Sequence, residues 1–516
     1  TLVPDPELAG RREDQERDEL KEIHRALSPA ELERLRQDAD ALRHLQETAE
    51  DLSCLPTLER RDIPPEVEII SPGAAEPDGR TVAYDQATSG IVYIAAAAGA
   101  GGLSEVLKDL APFFCYAFSR VGTAFRDYAD MARRIDAVTG GIGLALHPRT
   151  GFDGAGDCIP FVALNAKCLK RNFSPTADLL AELLQHYDFS DLPRLKSLLL
   201  EYRSGLESMV IHNGHRLAMS LAARHFSTAR FLNEHWSGVH HLLRMKRLTE
   251  APVEERLAEV AAGLAEIGRQ VWLQPNFQAA VIGETDVLPE ACGRVHGIAS
   301  GLPAGGSAGF GFNGKPPAPS RIREGWSTAT AVNFVAAAFP AVRLEHADAP
   351  ALAVIAKMLR SLYLHREIRE KGGAYGGFAV YDPEDGVFSL ASYRDPQLAA
   401  TLEVFERSGE FIGSNAFDDT DVKEAILQVC AEIDKPDAPG PAARKAFYRQ
   451  IVKLSDDLRL RFKQRLIALS RAEVCAAAER YFRRGLAGSS VAVIAGEPAL
   501  QEANSKLKEP LALHRI

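Results

Sequence analysis

Arg369-Glu370-Lys371-Gly372-Gly373-Ala374-Tyr375-Gly376-Gly377 lies between a helical pattern and a strand pattern. Upstream, Leu352, Ile355, Leu359, Leu362 and Ile368 recur at helical spacing and predict a helix over Ala351 to Arg369. Gly372-Gly373 stops it, because glycine leaves a helix through backbone conformations other residues avoid. Downstream, Phe378-Ala379-Val380-Tyr381 and Val387-Phe388-Ser389-Leu390 read as a hairpin across Asp382-Pro383-Glu384-Asp385-Gly386. A helix handed through glycines into a hairpin is an α+β pattern. Tyr375 is a neutral donor near pH 7, suited to a developing oxyanion. Arg369 can clamp a carbonyl or carboxylate. From residue chemistry alone two readings stand. The segment is either a helix C-cap with Tyr375 as a strand aromatic, or a site.

Working outward, Val332-Asn333-Phe334-Val335 and Ser490-Val491-Ala492-Val493-Ile494-Ala495 read as strands, and Asp456 to Phe482 as a helix. Residues 321–516 thus form one α+β domain. A Gly/Pro tract before it, 301–320, reads as an interdomain linker. Residues 66–300 form another α+β domain. There Ile91-Val92-Tyr93-Ile94 is strand-like, a helix runs through Leu107, Leu110, Phe114 and Phe118, and 176–270 is mostly helical with Leu198, Leu199, Leu200, Met209 and Leu217 in its core. Both run strand, helices, strand, as a duplicated unit would. Residues 1–65 read as a helical hairpin. Leu20, Ile23 and Leu27 lead into a capping box at Ser28-Pro29-Ala30-Glu31, and Leu32, Leu35, Ala39 and Leu42 continue an apolar stripe. Pro64 and Pro65 end the hairpin.

The composition, 46% apolar and 25% charged over 516 residues, is that of a globular chain, and the length suggests about three domains. The longest apolar stretch, Ile91 to Leu103, is shorter than the ~18 residues of a membrane span. Net charge is −10, the wrong sign for nucleic acid or an anionic membrane, so neither is expected as a partner. Residues 1–65 hold ten basic and seventeen acidic side chains, a net of −7, so the acidity belongs to the hairpin. The seven cysteines are scattered with no C-x-x-C pair, against a disulfide framework and against a structural zinc site. No basic region followed by an apolar one opens the chain, and it begins at Thr1 rather than Met. The expectation is a cytoplasmic chain that has lost its natural start.

Several motif matches carry little chemistry. Gly305 to Gly309 matches G-x-S-x-G, Gly309 to Lys315 matches G-x-x-x-x-G-K, and Gly309, Gly311 and Gly314 match G-x-G-x-x-G. Each needs a strand running into a helix, whereas Pro316-Pro317 follows, and no Ser or Thr follows Lys315. Gly99-Ala100-Gly101-Gly102-Leu103-Ser104 could cradle phosphate but reads better as a strand-to-helix turn with Ser104 as N-cap. His212 with His215, and His240-His241, lack a suitably spaced carboxylate. Phe231 to His235 and Val342 to His346 end in Glu-His but lack the first histidine of H-x-x-E-H. No zinc-binding motif is expected in this chain.

With these motifs set aside, Arg369 to Gly377 and Ser392-Tyr393-Arg394-Asp395-Pro396 carry a resemblance to the pitrilysin-type (inverzincin) zinc metallopeptidases, presequence protease branch. The hairpin phrases Leu27 to Glu31, Leu55-Pro56-Thr57-Leu58 and Asp62-Ile63-Pro64 support it. So do Pro112-Phe113-Phe114-Cys115, Gly122-Thr123 and Thr139-Gly140-Gly141-Ile142. The resemblance covers nearly the whole chain. It implies the helical-hairpin linker plus the C-terminal half of such an enzyme. The fold implied is α+β, two related domains of the LuxS/mitochondrial-processing-peptidase-like metallohydrolase type. In the full protease two halves close around an unstructured peptide, and zinc sits on the N-terminal half, which this chain lacks.

Carried over by the resemblance, Arg369 and Tyr375 are the catalytic residues and Gly372 and Gly373 bind substrate. Tyr375 would donate to the tetrahedral oxyanion and Arg369 would orient the peptide, with no metal held by this chain. The expected partners are the N-terminal half and unstructured peptides, and the chain alone is expected to be inactive. The alternative is a non-catalytic peptide-binding or scaffold subunit of the same superfamily. Retention of both Arg369 and Tyr375 leans toward catalysis.

Overall fold

The computed structural model of the chain describes residues 5, 7–48, 54–73, 79–250, 253–306, 309–414, 416–486 and 488–516. Contacts divide it into two units, Thr1–Glu59 and Arg60–Ile516.

The first unit holds helices Leu8–Ala26 and Pro29–Glu47. Ser28 accepts from the Glu31 N–H while the Glu31 carboxylate accepts from the Ser28 N–H, and Pro29 opens the second helix. The capping box does what the sequence predicts. The apolar stripe differs: Leu20, Ile23, Leu35 and Leu42 are each at least half exposed.

In the second unit two sheets repeat one topology. The first contains β1 (Thr81–Asp85), β2 (Ile91–Gly99), β3 (Ile142–Thr150), β4 (Cys158–Leu169) and β5 (Phe277–Gly283), in the order β1-β5-β2-β4-β3. The second contains β6 (Arg323–Ser327), β7 (Phe334–Pro340), β8 (Gly376–Asp382), β9 (Val387–Tyr393) and β10 (Ser490–Ala495), with β11 (Ala512–Arg515) at the edge. Its order is β8-β9-β7-β10-β6-β11. In each sheet the first strand is parallel to the last (β1 to β5, β6 to β10), and the remaining pairings among these five strands are antiparallel. The repeated strand-helices-strand pattern is therefore a duplicated α+β fold.

Both faces of each sheet are covered, which explains the Ala-rich strands. Phe334, Ala336 and Ala338 enter one hydrophobic core while Val335, Ala337 and Phe339 enter another, the period-2 alternation of a strand. The coverage is exchanged between the two halves of the unit. Helix Leu192–Ala223, which follows the strands of the first sheet, lies on β7, β9 and β10 of the second. Helix Pro439–Ile451, from the later half, lies on β2 and β5 of the first. A glycine marks each close approach. A Cβ on Gly214 would come under 3.0 Å from the Phe334 ring, and one on Gly440 would do the same to the Tyr93 ring.

A polar clasp joins the same two halves at the β8–β9 turn. Glu384 accepts two bonds from Arg149 Nε and Nη2 (2.7 and 2.6 Å) and one from the Thr150 N–H (2.8 Å). Asp385 accepts from the Thr150 and Ser227 hydroxyls (2.6 and 2.9 Å) and pairs with Arg230 at 2.8 Å.

Leu200, expected in the core, is exposed, and three further sequence readings shift. The helix expected over Asp456 to Phe482 is two, Asp456–Ala468 and Arg471–Gly485, because Ser470 and Glu473 form a capping box that starts a new one. The 301–320 tract does not hang free where it is described. Gly101 N–H bonds the Gly309 carbonyl (2.9 Å), Phe312 N–H bonds Cys158 (3.2 Å), and Gly99 has no room for a Cβ against Gly309. The glycines there serve backbone-to-backbone contact, and Ser104 caps the helix Glu105–Ala117. Third, the helix entering Gly372 changes bore: Ala349–Met358 is α, and Leu359–Lys371 is a π-helix.

Candidate active-site surface

The π-helix decides which side chains share a face. At ~4.4 residues per turn, positions separated by alternating steps of five and four stack. Leu359, Leu364 and Ile368 accordingly point into the core, while Leu362, expected there from α spacing, is half-buried. The same spacing aligns the exposed side chains Arg360, His365 and Arg369. In an α-helix Arg360 and Arg369 would lie on opposite sides.

Each glycine at the helix exit has its own reason. Gly372 has no room for a Cβ beside the Ile368 carbonyl, and Gly373 sits at φ +75°. The Gly373 N–H bonds Arg369 O (3.0 Å) and the Ala374 N–H bonds Ile368 O (3.1 Å), which closes the helix end. These N–H groups are therefore spent on the fold. What the two glycines present outward is a surface without side chains.

The chain then enters β8. The Tyr375 N–H bonds Tyr393 O at 3.1 Å, and Gly376 pairs with Tyr393. The Tyr375 side chain is 68% exposed and meets the Tyr393 ring edge-on, at 5.6 Å between centroids. The Arg369 guanidinium makes no hydrogen bond or ion pair among the described residues. Arg369, Gly372, Gly373 and Tyr375 thus lie along one helix-to-strand passage, with Arg369 and Tyr375 exposed.

Sequence reasoning missed what lies beneath them. Arg360 stacks over Phe378 (5.4 Å), Phe378 over His215 (5.4 Å), and His215 meets Tyr393 edge-on (4.8 Å). His215 comes from helix Leu192–Ala223, so the exchanged helix supports the surface. Burial lowers the His215 pKa, with Arg216 adding to the effect, so protonation of the ring is disfavoured. The signal for Arg360 was the spacing of five and four from Leu359 to Ile368. His215 had none, since its role depends on a helix crossing between sheets.

The remaining candidates are structural. Glu234 is fully buried and accepts from His240, through its backbone N–H (3.1 Å) and Nδ1 (3.0 Å). His235 Nδ1 bonds its own helix at Phe231 O (2.9 Å), and His212 Nδ1 bonds Ser208 O (2.9 Å). Among the described residues no three His, Cys, Asp or Glu side chains are placed to hold a metal ion. No described helix is long and apolar enough to cross a membrane.

Comparison with known proteins bears on the family and the fold. Residues 2–248 match the family model of the domain associated with peptidases of family M16, subfamily C, and residues 323–483 match "PreP C-terminal domain". The chain is 29% identical to the mitochondrial presequence protease of Danio rerio, over 96% of this chain and 50% of that protein. It is 26% identical to presequence protease 1, chloroplastic/mitochondrial, of Arabidopsis thaliana, over 91% and 43%. The chain spans about half the length of the relatives it matches. In fold it resembles a peptidase M16 inactive domain from Pseudomonas fluorescens, with TM-score 0.61, 14% identity, and coverage of 86% of this chain and 100% of that one. It also resembles the periplasmic protease PqqL of Escherichia coli, with TM-score 0.54, 15% identity, and coverage of 92% and 51%. The cytoplasmic expectation is corrected: the relatives are named mitochondrial or chloroplastic, pointing to an organelle. That expectation rested on the first residues of a chain that begins at Thr1, which carry no information about a leader.

Proposed function

We propose that this chain, which belongs to the presequence-protease branch of the pitrilysin-type peptidases and corresponds to their C-terminal half, supplies substrate-handling side chains to a peptide-hydrolysing site completed by an N-terminal half. The observation that carries the proposal is the exposed pair Arg369 and Tyr375, held at a glycine passage where the guanidinium has no partner among the described residues. The substrates proposed are unstructured peptides enclosed between the halves. Among the described residues no three His, Cys, Asp or Glu side chains gather as a ligand set, and the zinc that such enzymes use is proposed to lie on the N-terminal half.

Within that frame the chemistry of this chain is electrostatic. The Tyr375 hydroxyl donates a hydrogen bond to the carbonyl oxygen as negative charge develops on it. The tyrosine keeps its own proton, since the gain comes from a fixed donor rather than transfer. Arg369 holds a peptide carbonyl or carboxylate in register through its forked N–H groups. Gly372 and Gly373 let the peptide backbone pass close. The domains at work are the hairpin linker (1–65), the two α+β domains (66–300 and 321–516) and the tract between them (301–320).

The test is steady-state peptidase kinetics of this chain combined with the N-terminal half. Tyr375→Phe is expected to lower kcat by about 10²–10³-fold with little change in KM. Unchanged turnover would favour the scaffold reading.

A further inference from the structure

Arg394 stands in a backbone conformation its side chain disfavours. Its φ is +49°, the left-handed region where a Cβ crowds the following carbonyl. The constraint comes from both sides. Tyr393 is the last residue of β9, paired to Gly376. Asp395 is fully buried and anchored by five hydrogen bonds: its N–H donates to Asn333 O (2.9 Å), and its carbonyl accepts from the Asn333 N–H (2.9 Å) and Nδ2 (2.8 Å). Its carboxylate accepts from the Gln397 N–H (2.8 Å) and the Thr401 hydroxyl (2.6 Å). The residue between these clamps has no conformational freedom, and glycine would fill the position without strain.

The position nonetheless holds an arginine, and the geometry gives that residue a place. Its side chain is exposed, with the guanidinium 5.4 Å from the Tyr393 ring centroid. Tyr375 packs edge-on against that same ring. No carboxylate among the described residues pairs with Arg394, and Arg360 and Arg369 near the passage also lack carboxylate partners. Of the acidic residues at the end of the π-helix, Glu367 is paired with Lys371 at 2.7 Å, and Glu370 lies 3.6 Å from His365 Nε2 rather than beside one of the three arginines. The surface therefore presents positive charge on a chain whose net charge is −10. Strain retained at an exposed residue beside a candidate site is a mark of function.

We propose that Arg394 is a substrate-binding residue that takes a carboxylate of the peptide, either an acidic side chain or the C-terminal carboxylate, beside Tyr375. The proposal rests on the peptide-handling reading above and adds a specificity to it. The Tyr393 ring stiffens the guanidinium, and the fork offers two parallel N–H groups to the carboxylate.

The experiment is a fluorescence-anisotropy titration of this chain with an unstructured peptide in three forms. One carries acidic side chains and a free C-terminus, one has Asn and Gln in place of the acidic residues, and one is C-terminally amidated. The parent chain is expected to bind the full carboxylate form about tenfold tighter than one of the neutralised forms, and which one identifies the source. Arg394→Ala abolishes that preference, and Arg394→Lys keeps part of it. Arg394→Gly abolishes it while raising Tm, a combination that a merely structural arginine would not give. A parent chain without carboxylate preference, one without measurable binding, or a preference that survives Arg394→Ala overturns the proposal. Failure here leaves the broader reading to the Tyr375→Phe kinetics, which do not depend on Arg394.

Discussion

The exchange of helices between the two sheets can be tested at its glycines. At Gly214 an added methyl meets a Phe334 ring that is fully buried and cannot swing away. Overpacking of this kind costs about 1–3 kcal/mol. Gly214 follows Asn213, whose non-helical backbone (φ −127°, ψ 24°) kinks the helix, so alanine returns little helix propensity there and Gly214→Ala should destabilise by about 1–3 kcal/mol. Gly440 lies in the first turn of its helix against Tyr93, which is only half-buried and can give way. Gly440→Ala is therefore expected to cost less, about 0–1 kcal/mol. With an unfolding entropy of about 2.1 cal/mol/K per residue, a unit of this size loses about 1 °C of Tm per kcal/mol. Urea denaturation followed by circular dichroism, with calorimetry beside it, reads both. Because each sheet is covered by a helix from the other half, both substitutions should move one common transition. Two transitions, with only one responding to each variant, would refute the shared core, and a stabilising Gly214→Ala would refute the packing argument.

Other expectations follow from the clasp and from a buried imidazole. Glu384→Ala removes the carboxylate that receives Arg149 and the Thr150 N–H, and should cost about 1–3 kcal/mol by urea denaturation. The figure sits below that for a fully buried pair because the Arg149 side chain keeps 35% exposure, and a double-mutant cycle with Arg149→Ala isolates the pair. His147, stacked on Phe161 at 5.3 Å, has its pKa lowered to about 4, first by burial and then by Arg149. Its unfolded value is about 6.5, so as pH falls from 6.5 towards 4 the unfolded chain gains a proton that the folded chain refuses. Stability should drop across that window and level off below it. His147→Phe should flatten the slope in denaturation series run between pH 4 and 7.

Much of the architecture was written in local patterns. The capping box at Ser28, the hairpin across Asp382–Gly386 and the strand Ser490–Ala495 follow from nearest-neighbour chemistry, whereas the box at Ser470 lies inside a continuous helical pattern that hides it. The strand-helices-strand rhythm foreshadowed the duplicated sheets. What stayed hidden depends on contacts distant in sequence. Nothing near Gly214 announces Phe334, and nothing near His215 announces Tyr393. For the site, Arg369 and Tyr375 entered by resemblance, and their exposure is a structural finding. Arg394, in the Ser392–Pro396 segment, has no role legible in the sequence, because a left-handed backbone at an arginine is invisible there.

The wide-bore segment Leu359–Lys371 has a consequence for how such a site can be lost. If removal of a single residue relaxed the segment to ordinary pitch, everything downstream would rotate by about 0.4 of a turn. Arg369 would swing away from Arg360, and the Gly372–Gly373 exit would enter the sheet from a different azimuth. The surface could be dismantled with every one of its side chains still present, by a length change alone.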